Sequence, residues 1–152
     1  MPRMFNTILE EAGLNPADVR LLRHKDKRAE PGRTPYDLWR RNRQQFESYQ
    51  RTQSFHNEPR LDAPFWASFV GTPEGGTLFV GVYSVANRRL LERDTPMPHR
   101  DGMDRAGSCH EYDLTLQAEL GDLVGALLID WGGAYRTWIQ RADRQNKHVT
   151  RL

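Results

Sequence analysis

The chain has 152 residues, of which 38% are hydrophobic, and its 22 Lys and Arg against 20 Asp and Glu leave a net charge of +2. This length suits one ordinary domain with a single core, and the hydrophobic fraction excludes a chain that is disordered throughout. No apolar run reaches the roughly 18 residues of a membrane helix, and acids stand where a secretory signal has its apolar segment. Since Cys109 is the single cysteine, neither an internal disulfide nor a thiolate metal cage can form. We therefore predict one domain over residues 1–152, in the cytoplasm and without a membrane partner.

The small net charge hides a segregation along the chain. Residues 20–60 hold eleven Lys and Arg against five Asp and Glu, and residues 136–152 hold five against one. Between them, residues 61–135 hold five basic residues against eleven acidic ones. Two basic segments that flank an acidic one favour a protein with a positive face, although solvation of exposed elements explains such runs equally simply.

Helical signals dominate the first 60 residues. A short helix over 4–12 ends at Gly13, and Val19–His24 reads as a strand. The clearest helix start is Thr34, which is followed by Pro35 at the first helical position and Asp37 three residues on, a capping box. In one continuous helix from Thr34, one arc is aromatic and the opposite arc is basic. The aromatic arc holds Leu38, Trp39, Phe46 and Tyr49, and the basic arc holds Arg40, Arg41, Arg43, Gln44 and Arg51.

Strand signals dominate after residue 60. Phe65–Gly71 and 77–85 form a β-hairpin around the turn PEGG, with Val80 and Val82 facing one side and Phe79 and Tyr83 the other. Residues 94–107 read as a long loop. Further strands are expected at Cys109–Leu116, 123–131, 135–142 and 148–152. We predict an α+β fold in which a helical part of about 1–60 precedes a β-rich part of about 61–152. Its sheet is curled and mostly antiparallel, or closed into a small barrel.

Residues 129–144, IDWGGAYRTWIQRADR, alternate aromatic rings with guanidinium groups. A hydrophobic core needs the rings and a solvated surface needs the arginines, whereas a surface that stacks bases and binds phosphates needs both. This segment makes nucleic acid the first partner to consider.

A resemblance to a known family rests on six segments: GRTPYDLW, YQRTQSF, APFWASFV, TLFVGVYS, GSCHEYDLTL and DWGGAYRTWIQRADRQ. Together they resemble the N-terminal region of bacterial proteins that carry a GIY-YIG nuclease domain after it. The resemblance spans nearly the whole chain and implies a DNA-associated role. Such fusions are similar to modification-dependent restriction enzymes, in which a barrel-like domain of the PUA, EVE or SRA type selects the DNA. The 152 residues do not include the GIY-YIG active-site residues, and FVGVY is only a superficial echo of that motif.

A domain that reads a base needs cations for phosphates, flat rings for a flipped base and polar groups for the base edge. The backbone candidates are Arg40, Arg41, Arg43, Lys25, Lys27, Arg28, Arg136, Arg141 and Arg144. The candidates for base stacking or the base edge are Trp66, Trp131, Tyr135, Trp138, Asp130, Gln53, Ser54 and Gln140. The aromatic arc of the helix, with Trp39, is assigned to the core instead.

The leading hypothesis is a non-catalytic DNA-binding domain that senses a modified or flipped base and directs a nuclease domain in cis or in trans. No catalytic residue, metal or cofactor is assigned. An RNA-binding barrel domain would use the same arginines and rings. A protein-interaction module could dock a nuclease domain through the basic helix. A small metal-dependent hydrolase could use a loop of metal-ligating residue types, although their spacing matches no known site. That loop contains His99, Asp101, Asp104, Cys109, His110 and Glu111.

Overall fold

The computed structural model describes residues 3–24, 32–54, 58–91, 109–132, 138–144 and 146–152. These residues form four helices and nine strands. The helices are α1 (Phe5–Glu11), α2 (Pro35–Arg41), α3 (Arg43–Gln50) and α4 (Glu58–Leu61). The strands are β1 (Arg3–Met4), β2 (Val19–His24), β3 (Thr52–Ser54), β4 (Phe65–Gly71), β5 (Thr77–Leu91), β6 (Cys109–Leu116), β7 (Leu127–Ile129), β8 (Ile139–Arg141) and β9 (His148–Arg151). Short 3-10 turns lie at Pro16–Asp18, Ala118–Leu123 and Ala142–Arg144.

The described strands form one mixed sheet in the order β1-β9-β7-β5-β4-β2-β8, and β6 extends it by pairing with β5 and β3. All pairs are antiparallel except β2 with β4. The prediction of an α+β fold with a mostly antiparallel sheet is therefore confirmed. The sheet is not closed among these strands, since β1 and β8 lie at its two ends. Strand β2 lies inside the sheet, so the first 60 residues supply one of its interior strands as well as helices.

The sheet carries apolar side chains on both faces. On the first face, which we call the α1 face, Phe5 of α1 packs with Leu21 and Phe69. On the opposite face, which we call the α3 face, Phe46 of α3 packs with Val70. Successive residues of a strand point to opposite faces, so a strand that is covered on both sides must be apolar at nearly every position. The burial of residues 66–70 of β4 on both faces follows this rule.

The helix predicted from Thr34 is broken into α2 and α3. Its start is confirmed: the Thr34 side chain accepts a hydrogen bond from the Asp37 amide, and the Asp37 carboxylate accepts one from the Thr34 amide. The break falls at Asn42, whose φ of −154° and ψ of 97° are extended, and whose side chain caps α3 by accepting a hydrogen bond from the Gln45 amide at 3.3 Å. Asparagine favours such caps because its side chain competes with the helical backbone for hydrogen bonds.

The predicted hairpin of β4 and β5 is confirmed, but its face assignment is wrong. Ser68 pairs with Gly81 while Phe69 pairs with Phe79, so Val80 is an extra residue in β5. This bulge moves Val80 into contact with the α3-face cluster, while Val82 joins the α1-face cluster. An inserted residue reverses the alternation beyond it, and no period-two reading of the sequence can locate it. Among the other predicted strands, β6 and β9 are confirmed, and β7 is shorter than expected. Of the strand predicted over 135–142, residues 135–137 lie outside the described residues, and β8 covers Ile139–Arg141.

The bulge gives a test of the fold at Gly81. This residue has a φ of +142°, and a Cβ added to it would lie 2.6 Å from Cδ1 of Leu116. We expect Gly81→Ala to lower the free energy of unfolding by about 2–4 kcal/mol, because backbone strain and overpacking add. Gly121→Ala is the matched control, since its Cβ would meet nothing within 4 Å and its φ is not positive. Equal denaturant midpoints for the two variants would contradict the bulge.

Candidate nucleic-acid interface

Three predicted backbone contacts lie together where α2 ends and α3 begins. Arg40, Arg41 and Arg43 are exposed, and we call them the α2–α3 arginines. The guanidinium of Arg40 lies 5.6 Å from the ring centroid of Tyr36, and that of Arg41 donates a hydrogen bond to the Gly32 carbonyl. None of the three forms an ion pair within the described part of the chain. Their positive charges are therefore available to an anionic partner.

The two acids of these helices form no ion pair with the α2–α3 arginines in the described residues, and the Arg41 charge makes only a minor contribution to the lowered pKa of Asp37. The Asp37 carboxylate accepts hydrogen bonds from the Thr34 hydroxyl and amide, and the hydroxyl is the main cause of its lowered pKa. The Glu47 carboxylate accepts a hydrogen bond from the Tyr83 hydroxyl at 3.3 Å. Burial and then the Glu47 charge raise the pKa of Tyr83 well above its usual value, so the phenol stays protonated. The carboxylates are thus engaged at the cap and against the sheet.

A second group of arginines lies at the β8 end of the sheet. Arg141 on β8 is paired in register with Arg20 on β2, and Arg144 follows in the adjoining 3-10 turn. We call these three the β8-edge arginines. Arg141 donates two hydrogen bonds to the Asp143 carboxylate at 3.1 and 2.9 Å. Burial and then the charge of the paired Arg141 lower the pKa of Arg20.

Sequence reasoning identified Arg141 and Arg144 but missed Arg20. Directly paired residues of antiparallel strands point to the same face, so Arg20 and Arg141 share a face with Leu22 and Ile139. Leu22 and Ile139 pack with Trp66 of β4, on the α3 face. Arg20 and Arg141 therefore belong to the side of the sheet that α2 and α3 cover. The alternation in VRLLRH predicts that Arg20 and Leu21 point to opposite faces of the sheet. Nothing in the sequence shows that β8, with Arg141, is the strand next to β2.

Two predicted stacking rings lie in the core instead. Trp66 is 0% exposed, its Nε1 donates to the Leu61 carbonyl at 3.1 Å, and its ring meets the Tyr112 ring edge-on at 4.7 Å. Trp131 is 3% exposed and packs against Phe69 at 5.7 Å. A stacked base needs an open ring face, which neither tryptophan has. The assignment of Trp66 and Trp131 to base stacking is therefore corrected: both stabilise the fold.

Among the described tryptophans that were predicted to stack on a base, Trp138 is the one that remains partly exposed to solvent. It is half-buried, packs against the cluster that contains Trp66, and lies 6.2 Å from the His24 ring centroid. Five further candidates fall outside the described residues: Lys25, Lys27, Arg28, Tyr135 and Arg136.

The predicted base-edge groups are mostly engaged in the fold. Asp130 is exposed, but its Oδ1 accepts a hydrogen bond from the Gly132 amide at 3.2 Å, a local turn contact. Gln53 is buried and donates to the Gln50 carbonyl at 2.5 Å, and Gln140 is buried on the face opposite Arg141. Ser54 lies in β3 opposite Cys109, and its side chain falls outside the described residues. The expectation that Gln53 and Gln140 face a bound base is therefore corrected, because both side chains lie inside the protein.

A cluster of buried polar side chains lies under α3 and was not predicted from the sequence. The Oε1 of Gln50, a fully buried residue, lies 2.9 Å from Nε2 of His24 and accepts a hydrogen bond from the Ser68 hydroxyl. The Nε2 of Gln50 has no hydrogen-bond partner in the part of the chain that the structure describes. His24 also meets Phe46 and Tyr49 edge-on. Ser68 in the middle of β4 has no sequence signal that would distinguish it from a solvent-facing strand residue.

The structure describes only part of the loop that was considered for a metal-dependent hydrolase. His99, Asp101 and Asp104 fall outside the described residues. Glu111 pairs with Arg89 and with Arg51, while His110 is buried on the other side of β6. Within the described ranges, no group of three or more His, Cys, Asp or Glu is placed to hold a metal ion.

No family model, curated protein or solved structure matches the chain. None of the helices in the described segments combines the length and the apolar character needed to cross a membrane.

Proposed function

We propose that this domain binds nucleic acid through its phosphates, with DNA favoured over RNA. The observation that carries the proposal is the set of α2–α3 arginines, three exposed cations without an ion pair in the described residues, on helices whose acids are engaged elsewhere. Guanidinium groups in this state bind phosphates by charge-assisted hydrogen bonds and release the counterions of the duplex. Arg20 and Arg141 extend this cationic surface on the same side of the sheet.

Helix stability alone does not account for this arrangement. Arg40 and Arg41 lie in the last turn of α2, where cations interact favourably with the helix dipole. Arg43, however, is the first residue of α3, and the first turn of α3 has no acid. A cation at a helix N-terminus is unfavourable by a few tenths of a kcal/mol up to about 1 kcal/mol. A phosphate bound to Arg43 would offset this unfavourable interaction with the helix dipole.

DNA is favoured because the chain resembles the region that precedes a GIY-YIG nuclease domain. In this proposal the domain directs such a nuclease, in cis or in trans, and is not itself catalytic. Sensing of a modified base would depend on Trp138 and on Tyr135, because Trp66 and Trp131 are buried. A barrel of the PUA type would need β1 and β8 to meet, so the proposal relies on the arginines and not on a barrel.

The proposal is tested by the fluorescence anisotropy of matched duplexes of DNA and RNA, and of DNA with modified cytosine or adenine. We expect DNA binding that weakens steeply between about 50 mM and about 200 mM salt, as phosphate contacts require. A domain that senses a modification would also prefer one modified duplex over the unmodified one at both salt concentrations. Tighter binding of RNA would contradict the DNA preference, and binding that is absent or independent of salt would overturn the proposal.

A further inference from the structure

The guanidinium of Arg23 on β2 has a buried Nε without a hydrogen-bond partner in the described residues. It is half-buried, and within the described residues its side chain makes no hydrogen bond and no ion pair, while its Nε is buried. Burial lowers its pKa. Taking a charge out of water is unfavourable unless a hydrogen-bonding partner replaces the water. Among the described residues, no acceptor therefore replaces the water that the Nε of Arg23 has lost.

A buried ring and a second cation lie beside this guanidinium. The centroid of the Trp131 ring is 5.5 Å from the Arg23 guanidinium and 5.0 Å from the Lys147 ammonium. Lys147 is 6% exposed and donates a hydrogen bond to the Trp131 carbonyl at 2.7 Å. Both distances lie within the range of cation–π attraction, so one ring holds two positive charges in place. The Lys147 contact also fixes the backbone of Trp131.

This cluster lies on the opposite side of the sheet from the proposed nucleic-acid surface. Val19, Leu21 and Arg23 alternate along β2 and share the α1 face, where Trp131 packs with Phe69. Arg20, at the intervening parity, belongs to the α3 face with Arg141. The cluster is therefore separate from the α2–α3 arginines and from the β8-edge arginines.

We propose that Arg23, held on Trp131 beside Lys147, is a binding site for a phosphate monoester. A guanidinium presents Nε and Nη donors in a fork that matches two oxygens of a phosphate, and within the described ranges no residue accepts from the Nε of Arg23. A phosphate monoester carries about −1.5 to −2 charges near neutral pH, which suits a pair of cations better than the single charge of a carboxylate. The ligand is a free nucleotide or the phosphorylated end of a strand.

The test observes Arg23 directly in the unmodified protein. Inorganic phosphate is titrated at constant ionic strength while the Nε–H signals of the arginines are followed by ¹H–¹⁵N NMR. We expect the Arg23 signal to shift and saturate with a dissociation constant at or below about 10 mM, and chloride to leave it unmoved. Arg23→Gln should abolish the saturable response. Arg23→Lys, which keeps the charge but not the fork, should bind about tenfold more weakly. Arg88→Gln, at an exposed position on β5, should bind like the unmodified protein.

A second set of probes separates the two sources of the monoester. The α2–α3 arginines are first replaced by glutamine, so that their phosphate contacts do not contribute, and each phosphorylated probe is compared with its unphosphorylated form to cancel contacts made by the β8-edge arginines. A nucleoside 5′-monophosphate is then compared with its nucleoside, and a 5′-phosphorylated single strand with its 5′-hydroxyl form. Preference for the phosphorylated strand over the free nucleotide identifies a strand end, and equal binding identifies a small nucleotide. An Arg23 signal that no phosphate moves, or binding unchanged in a folded Arg23→Gln variant, overturns the proposal whatever the other surface does.

Discussion

Replacing Trp66 with alanine is expected to lower the free energy of unfolding by about 3–5 kcal/mol. The indole is fully buried, packs against Tyr112 and donates to the Leu61 carbonyl, so its removal leaves a cavity and a buried acceptor without its donor. For a domain of this length, the melting temperature should fall by roughly 10 °C or more. Chemical denaturation followed by circular dichroism measures the free energy, and calorimetry measures the melting temperature.

Trp66→Phe is the matched control, because it keeps most of the apolar volume and loses the Nε1 donor. It should be less destabilising than the alanine variant. Both variants should bind nucleic acid normally at temperatures where they are folded. A Trp66→Ala protein of unchanged stability that had lost nucleic-acid binding would mean that the ring is a contact surface and that its burial is wrong.

The largest expected effect on binding comes from replacing all three α2–α3 arginines with glutamine. If each contacts one phosphate, the slope of log K against log salt should become less steep by about 2.7. The loss of affinity between about 50 mM and about 200 mM salt should then be about 40-fold smaller than in the unmodified protein. Stability should change little, since none of the three is buried or in an ion pair in the described part of the chain. Anisotropy at several salt concentrations measures the slope.

Arg151→Gln is the control for the loss of a positive charge. Arg151 is exposed on β9, which lies near the end of the sheet opposite β8. It should change the slope by much less than one phosphate contact. Equal slopes for the triple variant and the unmodified protein would show that the α2–α3 arginines do not touch phosphate. The proposed surface would then shrink to the β8-edge arginines.

Local signals predicted the elements best where a single residue type carries the conformation. The Thr34 capping box, the β4–β5 hairpin and the strand Val19–His24 were all predictable because caps, glycine turns and apolar runs act within a few residues. The break at Asn42 and the bulge at Val80 were not predicted. Each inserts one irregular residue into a periodic segment, and the packing on both sides of the sheet decides whether that irregularity is tolerated.

The candidate site divides in the same way. The cationic face of α2 and α3 follows from helical phase, so Arg40, Arg41 and Arg43 were identified correctly as exposed. The rings were harder to place because tryptophan suits a core and a binding surface equally well. Burial of Trp66 and Trp131 removes both from the stacking surface. Arg20 and Arg23 gained their neighbours only through contacts with residues far along the chain, Arg141 and Trp131.

The amino-acid sequence by itself therefore determined the α+β class, the start of α2 at the Thr34 capping box and the exposed arginines that follow that start. These depend on interactions between residues a few positions apart, and such interactions are the same in any fold. The tertiary structure alone decided which rings are buried, that Arg20 lies beside Arg141, and that Arg23 lies beside Trp131 without a polar partner in the described chain. Those outcomes depend on strand order and register, which arise from the simultaneous packing of both faces of the sheet.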